Sequence, residues 1–152
     1  MYKDYTNSLH SFFSQQKSAG KISFTTDVWT DPNQRAFMAV TAHWIEVTEE
    51  KSSSGSYKKL QLHADLIGFH KMPGRHTGKH LAYCFKFITD RLNITNRVST
   101  IITSKHYMLL ITRQIGWITC DNASNNNTMM DELQTMLQRQ KIKFNATENR
   151  IR

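Results

Sequence analysis

The chain has 152 residues, enough for one domain with a single core, and its 39% hydrophobic, 11% aromatic and 21% charged residues are typical of a globular protein. It has no apolar run long enough for a membrane span and no secretory N-terminus, and its two cysteines support neither a disulfide framework nor a zinc module. The net charge of +8 is uneven, with −1 on residues 1–56 and +9 on residues 57–152. A basic half favours a polyanionic partner such as nucleic acid, and a solvated basic surface is the competing interpretation.

The first predicted strand carries an aspartate near its end. Residues 1–19 are expected to form a leader or a short helix, and Gly20 separates them from a strand over residues 21–29. Alternation predicts two opposite faces for this strand, namely Ile22, Phe24 and Thr26 on one and Ser23, Thr25 and Asp27 on the other.

Two more strands follow at short intervals. The turn signal Asp31-Pro32-Asn33 precedes an apolar strand over residues 36–47. A polar hairpin loop over residues 49–56 then leads to a third strand over residues 58–69. Three consecutive strands with tight connections predict an antiparallel meander.

Two amphipathic helices and a short strand are predicted in the second half. Pro73-Gly74 ends the meander, and a helix follows over residues 76–92. A short apolar strand over residues 115–120 ends at Asp121, and Ser124 is the expected N-cap of the next helix. The apolar stripes of the two helices are Leu81, Phe85, Ile88 and Leu92, and Met129, Leu133, Met136 and Leu137.

The predicted order β-β-β-α-β-α indicates an α/β fold with a mixed sheet of the RNase H-like plan. In that plan the first strand lies at the centre of the sheet beside the fourth, so Asp27 and Asp121 are expected to be neighbours in space. Two carboxylates on neighbouring strands can share a divalent metal, since hard cations prefer oxygen ligands. The alternative is that both aspartates cap strand ends. Residues 150–152 are expected to begin a fifth strand of the sheet.

Four ordered blocks resemble the catalytic domain of hAT-superfamily transposases over about residues 20–152. They are Thr25-Thr-Asp-Val-Trp-Thr30, Ala39-Val-Thr-Ala-His-Trp-Ile45, His76-Thr-Gly78 and Gly116-Trp-Ile-Thr-Cys-Asp-Asn-Ala-Ser-Asn-Asn126. The resemblance implies a DDE-type, metal-dependent DNA strand transferase in which Asp27 and Asp121 are the first two catalytic acids and bind Mg²⁺ or Mn²⁺.

The resemblance also implies a partner and a compartment. DNA is the expected partner, contacted by Trp29, Arg75, His76 and Lys79, in a nuclear protein that forms homo-oligomers in the full-length family. Packing of Trp29 and a helix-start role for His76 are the alternatives. Trp44 and Trp117 are expected in the core. A zinc site on the helix face of His76, His80 and Cys84 has no evident fourth ligand.

The sequence departs from the family pattern in two places that bear on function. The third catalytic acid of the family is expected after Arg152, and Glu132 and Glu148 stand in the wrong context to replace it. Residues 98–114 separate segments that are nearly adjacent in the family. This segment is interpreted either as a translated intron, since Val98-Ser99 and Gln114 can be encoded by splice-site consensus sequences, or as a genuine extra element.

These observations predict a fragment of a hAT-like transposase that is inactive alone, with residues 20–152 as a partial RNase H-like domain. The alternatives are a domesticated, non-catalytic protein that binds nucleic acid or dimerises, a simple RNase H-like nuclease, and a decayed gene product without function.

Overall fold

A computed structural model describes residues 2–14, 18–73, 76–95, 98–103, 106–111 and 115–151. The helices and strands, in chain order, are α1 Tyr2–Ser14, β1 Ser18–Thr30, β2 Ala36–Ser52, β3 Gly55–Met72, α2 Gly78–Arg91, β4 Val98–Thr103, β5 His106–Ile111, β6 Ile115–Thr119, α3 Ser124–Arg139 and β7 Arg150–Ile151.

The main sheet has five strands in the order β3-β2-β1-β6-β7. The β1-β2-β3 pairs are antiparallel and form the predicted meander, whereas β6 pairs parallel with β1 and β7 pairs parallel with β6. The helix-linked strands are therefore parallel, because a crossover through a helix returns the chain to the same end of the sheet. This mixed α/β sheet confirms the predicted RNase H-like plan, with β1 at its centre.

The helices cover one face of the sheet and leave the other face open. The alternation predicted for β1 is confirmed, since Ile22 and Phe24 are buried on the covered face, where Phe24 meets Phe85 of α2 edge to face at 5.3 Å. Every residue of the two predicted helix stripes is buried. Large side chains on the other face stay partly exposed, including Leu66 and Phe69 of β3.

Helix α1 packs on the covered face at the far end of β2. Phe13 is 1% exposed and meets the ring of Trp44 edge to face at 5.0 Å. Trp44 lies in the core as expected, and His63 of β3 stacks on its other side at 5.3 Å. The first helix thus shares the hydrophobic core with the strands.

The β2–β3 hairpin is longer than predicted. Strand pairing continues to Ser52 and Gly55, so the segment expected to be a loop is mostly ladder. Tyr57 and Lys59 both donate to the Glu50 carboxylate, at 2.7 Å and 2.8 Å. Cross-strand pairs of this kind stabilise the hairpin although its residues are polar. The strand propensities of the single residues do not reveal these contacts.

Two further predictions were wrong. Ser124 is the first residue of α3 and Ala123 is its N-cap, with no side-chain cap hydrogen bond; the Asp121 carboxylate accepts the Ala123 N–H instead, at 2.9 Å. Trp117 is 49% exposed, because it lies on the open face of β6.

Residues 98–103 and 106–111 form an antiparallel hairpin outside the main sheet. Strand β4 pairs with β5 from Val98↔Ile111 to Thr103↔His106, and the two form a sheet of their own. The segment suspected as an insertion therefore lies apart from the five-stranded sheet. Its interpretation as a translated intron or a genuine element stays a prediction.

Candidate active site

Asp27 lies in β1, and Asp121 follows the end of the adjacent parallel strand β6. Strands β1 and β6 are paired up to Thr25↔Thr119, and Asp27 and Asp121 each lie two residues beyond that pair. Neighbouring strands are about 4.8 Å apart. Both aspartates are exposed at the carboxyl end of the sheet, where parallel α/β sheets commonly bind their ligands.

Each aspartate is exposed and follows a buried residue. In β1, Asp27 follows Thr25 on the open face, since Phe24 and Thr26 are buried on the other side. Beyond the end of β6, Cys120 is buried and Asp121 is exposed. Carboxylate oxygens are the ligands that hard cations prefer, so the donor chemistry of this pair fits Mg²⁺ or Mn²⁺.

Asp121 is held by hydrogen bonds that the sequence prediction missed. Its Oδ1 accepts from the backbone N–H of Ala123 at 2.9 Å and from Nδ2 of Asn126 at 2.6 Å. Its carbonyl oxygen accepts from Nη2 of Arg150 at 3.0 Å, and the same guanidinium donates to Asn127. The signal in the sequence was the run of amide side chains after Asp121.

The start of α2 is tied to the start of α3, which places His76 beside this end of the sheet. Nδ2 of Asn125 donates to the carbonyl of His76 at 2.7 Å. Lys79 is exposed in the first turn of α2. Arg75, the remaining basic residue of the predicted DNA contact, lies outside the described residues.

Trp29 lies on the same open face as Asp27, two residues further along β1. It is 37% exposed and contacts two aromatic rings, stacking on Phe37 at 6.0 Å and meeting Phe69 edge to face at 5.4 Å. Both predicted roles for this tryptophan, packing and contact with a ligand, remain compatible with that position. Phe37 and Phe69 were not predicted as part of the site.

The predicted zinc stripe has no support in the described residues. No group of three or more His, Cys, Asp or Glu side chains converges within them. Cys84 is buried, and burial raises the pKa of its thiol above the usual 9.0. The Cys84 side chain packs in the hydrophobic core.

The comparisons with known proteins identify the family of this chain. Residues 25–109, more than half of the chain, match the ZBED1 RNase-like domain family. The chain is 28% identical over 128 residues to a putative transcriptional regulator, tpeD, of Talaromyces stipitatus, covering 84% of this chain and 12% of the regulator. It is 31% identical over 78 residues to the putative AC and AC9 transposases of Zea mays, covering 51% of this chain and 8% of each transposase.

These similarities show the family of the chain and how much of each relative the chain covers. The chain spans about an eighth or less of the length of these curated relatives. No solved structure matches it. No helix among the described residues has both the length and the apolarity to cross a membrane. The matched region contains the end of β1 with Asp27, strands β2 and β3, and α2, and the chain belongs to the hAT-related ZBED1 RNase-like domain family.

Proposed function

We propose that this chain is the RNase H-like part of a hAT-type transposase, in which Asp27 and Asp121 together bind Mg²⁺ or Mn²⁺ and the surrounding surface binds DNA. The observation that carries the proposal is that Asp27 and Asp121 each follow the last pair of the adjacent parallel strands β1 and β6, Thr25↔Thr119, by two residues. When bound between such carboxylates, divalent ions activate an attacking hydroxyl and stabilise the leaving oxygen of a phosphodiester.

The protein's own groups have separate tasks in this proposal. Asp27 and Asp121 supply metal ligands, and the start of α2 contributes Lys79 and His76 as contacts to the DNA backbone. Trp29 lines the DNA path on the same face as Asp27. Phosphate contacts of this kind position the DNA without reading its sequence.

The 152-residue polypeptide is expected to bind metal but not to cut DNA. A DDE centre uses three acids, and two of the described carboxylates fill that role here. Incubation of a supercoiled plasmid with the purified polypeptide and Mg²⁺ should leave the DNA supercoiled. Robust Mg²⁺-dependent nicking that Asp27→Ala abolishes would refute this part of the proposal.

Metal binding is tested directly by titration with Mn²⁺, followed by the loss of its free-ion electron paramagnetic resonance signal. Wild-type protein should show one saturable class of sites, and Asp27→Asn and Asp121→Asn should each abolish it. Asp131→Asn is the matched control, since Asp131 is an exposed acid on α3. Equal Mn²⁺ binding by all four proteins would overturn the assignment.

A second candidate is a domesticated protein that binds DNA without catalysis and acts in transcription. The similarity to a putative transcriptional regulator favours it. The two candidates differ in their need for metal. DNA binding measured by fluorescence anisotropy in EDTA, with a steep salt dependence, supports the second candidate. A saturable Mn²⁺ site that strengthens DNA binding supports the first.

The predicted DNA contact is tested in the same assay. Lys79→Gln should lower the salt slope by about one, as expected for the loss of one phosphate contact. Lys58→Gln, an exposed lysine on the β2–β3 hairpin, is the control and should leave the slope unchanged if DNA binds at the carboxyl end of the sheet. The reverse result would move the DNA site to the hairpin.

A further inference from the structure

We infer that Asn126 is a positioning residue, whose side-chain amide fixes the Asp121 carboxylate so that Oδ2 is the oxygen presented to a divalent cation. The inference rests on the proposed metal site and assigns a role within it to a residue of α3. It follows from the hydrogen bonds around Asp121, from the burial of Asn126 and from the chemistry of the amide group.

The two oxygens of the Asp121 carboxylate differ in their surroundings. Oδ1 accepts two N–H donors, from Ala123 at 2.9 Å and from Asn126 at 2.6 Å. Among the described residues, no donor contacts Oδ2. A carboxylate with one oxygen occupied by two hydrogen bonds offers the other oxygen as a monodentate metal ligand. Groups that donate hydrogen bonds to a carboxylate in this way orient it for metal binding.

Asn126 is itself held in place. It is 7% exposed in the first turn of α3, so its side chain has little freedom to leave the contact. Its Nδ2 also lies 3.4 Å from the Asp121 carbonyl oxygen, which places two acceptors on the same side of the amide. The NH₂ group must face them, because the reversed amide would bring three acceptor oxygens together.

Arg150 reinforces the arrangement from the last strand. Its guanidinium donates to the Asp121 carbonyl at 3.0 Å and to the side chain of Asn127. The backbone and the carboxylate of Asp121 are therefore fixed by different elements, β7 and α3. This rigidity supports a metal ligand, since a ligand that is already oriented loses less entropy on binding.

The contact can be tested without metal by nuclear magnetic resonance in EDTA. The resonance of one side-chain amide proton of Asn126 is identified by its disappearance in Asn126→Ala. It should lie downfield of the side-chain amide resonances of an exposed asparagine, because the hydrogen bond of this proton to a carboxylate is short. It should move upfield in Asp121→Ala and stay in place in Asp27→Ala. A proton that does not respond to Asp121→Ala overturns the positioning contact.

The consequence for metal is tested by Mn²⁺ affinity. Asn126→Ala should weaken Mn²⁺ binding about ten-fold, the lower end of the effect of losing an outer partner. Asn122→Ala, an exposed asparagine of the same run, should stay within about two-fold of wild type. Because Asn126→Ala also removes a buried carbonyl oxygen that has no partner among the described atoms, we expect the variant to fold. Asn126→Ser is the second variant.

The outcomes separate the two proposals. Wild-type affinity in both Asn126 variants, with unchanged melting temperatures, overturns the inference while leaving the metal site intact. Absence of any saturable Mn²⁺ binding by wild-type protein overturns the proposed metal site and the cation part of the inference together. In that case the resonance experiment still decides whether Asn126 holds Asp121.

Discussion

Replacement of Gly78 by alanine tests the packing that brings the two helices to the site. A Cβ atom at this position would lie 2.5 Å from the backbone oxygen of Asn125 and 2.7 Å from the backbone nitrogen of Met129, and it would also overlap the Cβ atom of Thr128. Ordinary van der Waals contact begins at 3.4 Å, so α2 and α3 would have to separate by about 0.9 Å. Backbone atoms of a helix cannot move aside as a side chain can.

The magnitude follows from this overlap. Overpacking of a core contact costs about 1–3 kcal/mol, and contacts with backbone place Gly78→Ala near the upper end. The better helix propensity of alanine offsets less than about 1 kcal/mol at the first helical position. We therefore expect the free energy of unfolding to fall by about 2 kcal/mol, and the melting temperature by roughly 4–8 °C.

The assay is urea unfolding followed by circular dichroism, with Gly68→Ala as the matched control. The three atoms nearest to a Cβ atom at Gly68 would all be side-chain atoms of Ile88, the closest at 2.5 Å. A side chain can change its rotamer, so Gly68→Ala should lose less stability than Gly78→Ala. Unfolding of Gly78→Ala within about 0.5 kcal/mol of wild type would refute the close packing of α2 on α3.

Three further predictions concern the covered face and the hairpin. Phe13→Ala should lower the free energy of unfolding, measured with urea, by about 3 kcal/mol, because it removes the ring that packs on Trp44. An unchanged midpoint of urea unfolding would mean that α1 is not part of the core. Cys84 should resist alkylation by iodoacetamide at pH 8 until urea unfolds the protein, since burial raises the pKa of its thiol, and rapid labelling of native protein would contradict this. Hydrogen bonds from Lys59, the larger cause, and from Tyr57 lower the pKa of Glu50 from its ordinary value of 4.5. The protection of the hairpin amides from hydrogen exchange should therefore be present above pH 4.5 and be lost as the pH falls through the lowered pKa. Glu50→Gln should remove this pH dependence.

Much of the fold could be predicted from local patterns. Period-two alternation in β1 gave the faces of Phe24 and Asp27 correctly, because successive side chains of a strand point to opposite sides. The spacing of Leu81 and Phe85 in α2 gave its buried stripe for the corresponding reason in a helix. The meander followed from its short connections, which make antiparallel pairs, whereas the position of β6 beside β1 followed from the RNase H-like plan.

The candidate site was only partly predictable. The positions of Asp27 and Asp121 followed from the ends of their strands, but the register between β1 and β6 depends on pairing between residues far apart in the chain. Asn126 reaches Asp121 through the first turn of α3, and Arg150 reaches it from β7. Contacts between elements carry no local periodicity, so the sequence offered only a run of amide residues as a signal.

The sequence by itself determined most of the elements and the strand ends near which Asp27 and Asp121 lie, because alternation, helical spacing and turn residues act over a few neighbouring positions. The tertiary structure decided which side chains are covered. Trp44 and Trp117 are the same residue type on neighbouring parts of one sheet, yet Trp44 is 3% exposed and Trp117 is 49% exposed. The difference arises because the helices pack on the face that holds Trp44, and burial depends on what packs against a residue rather than on the residue alone.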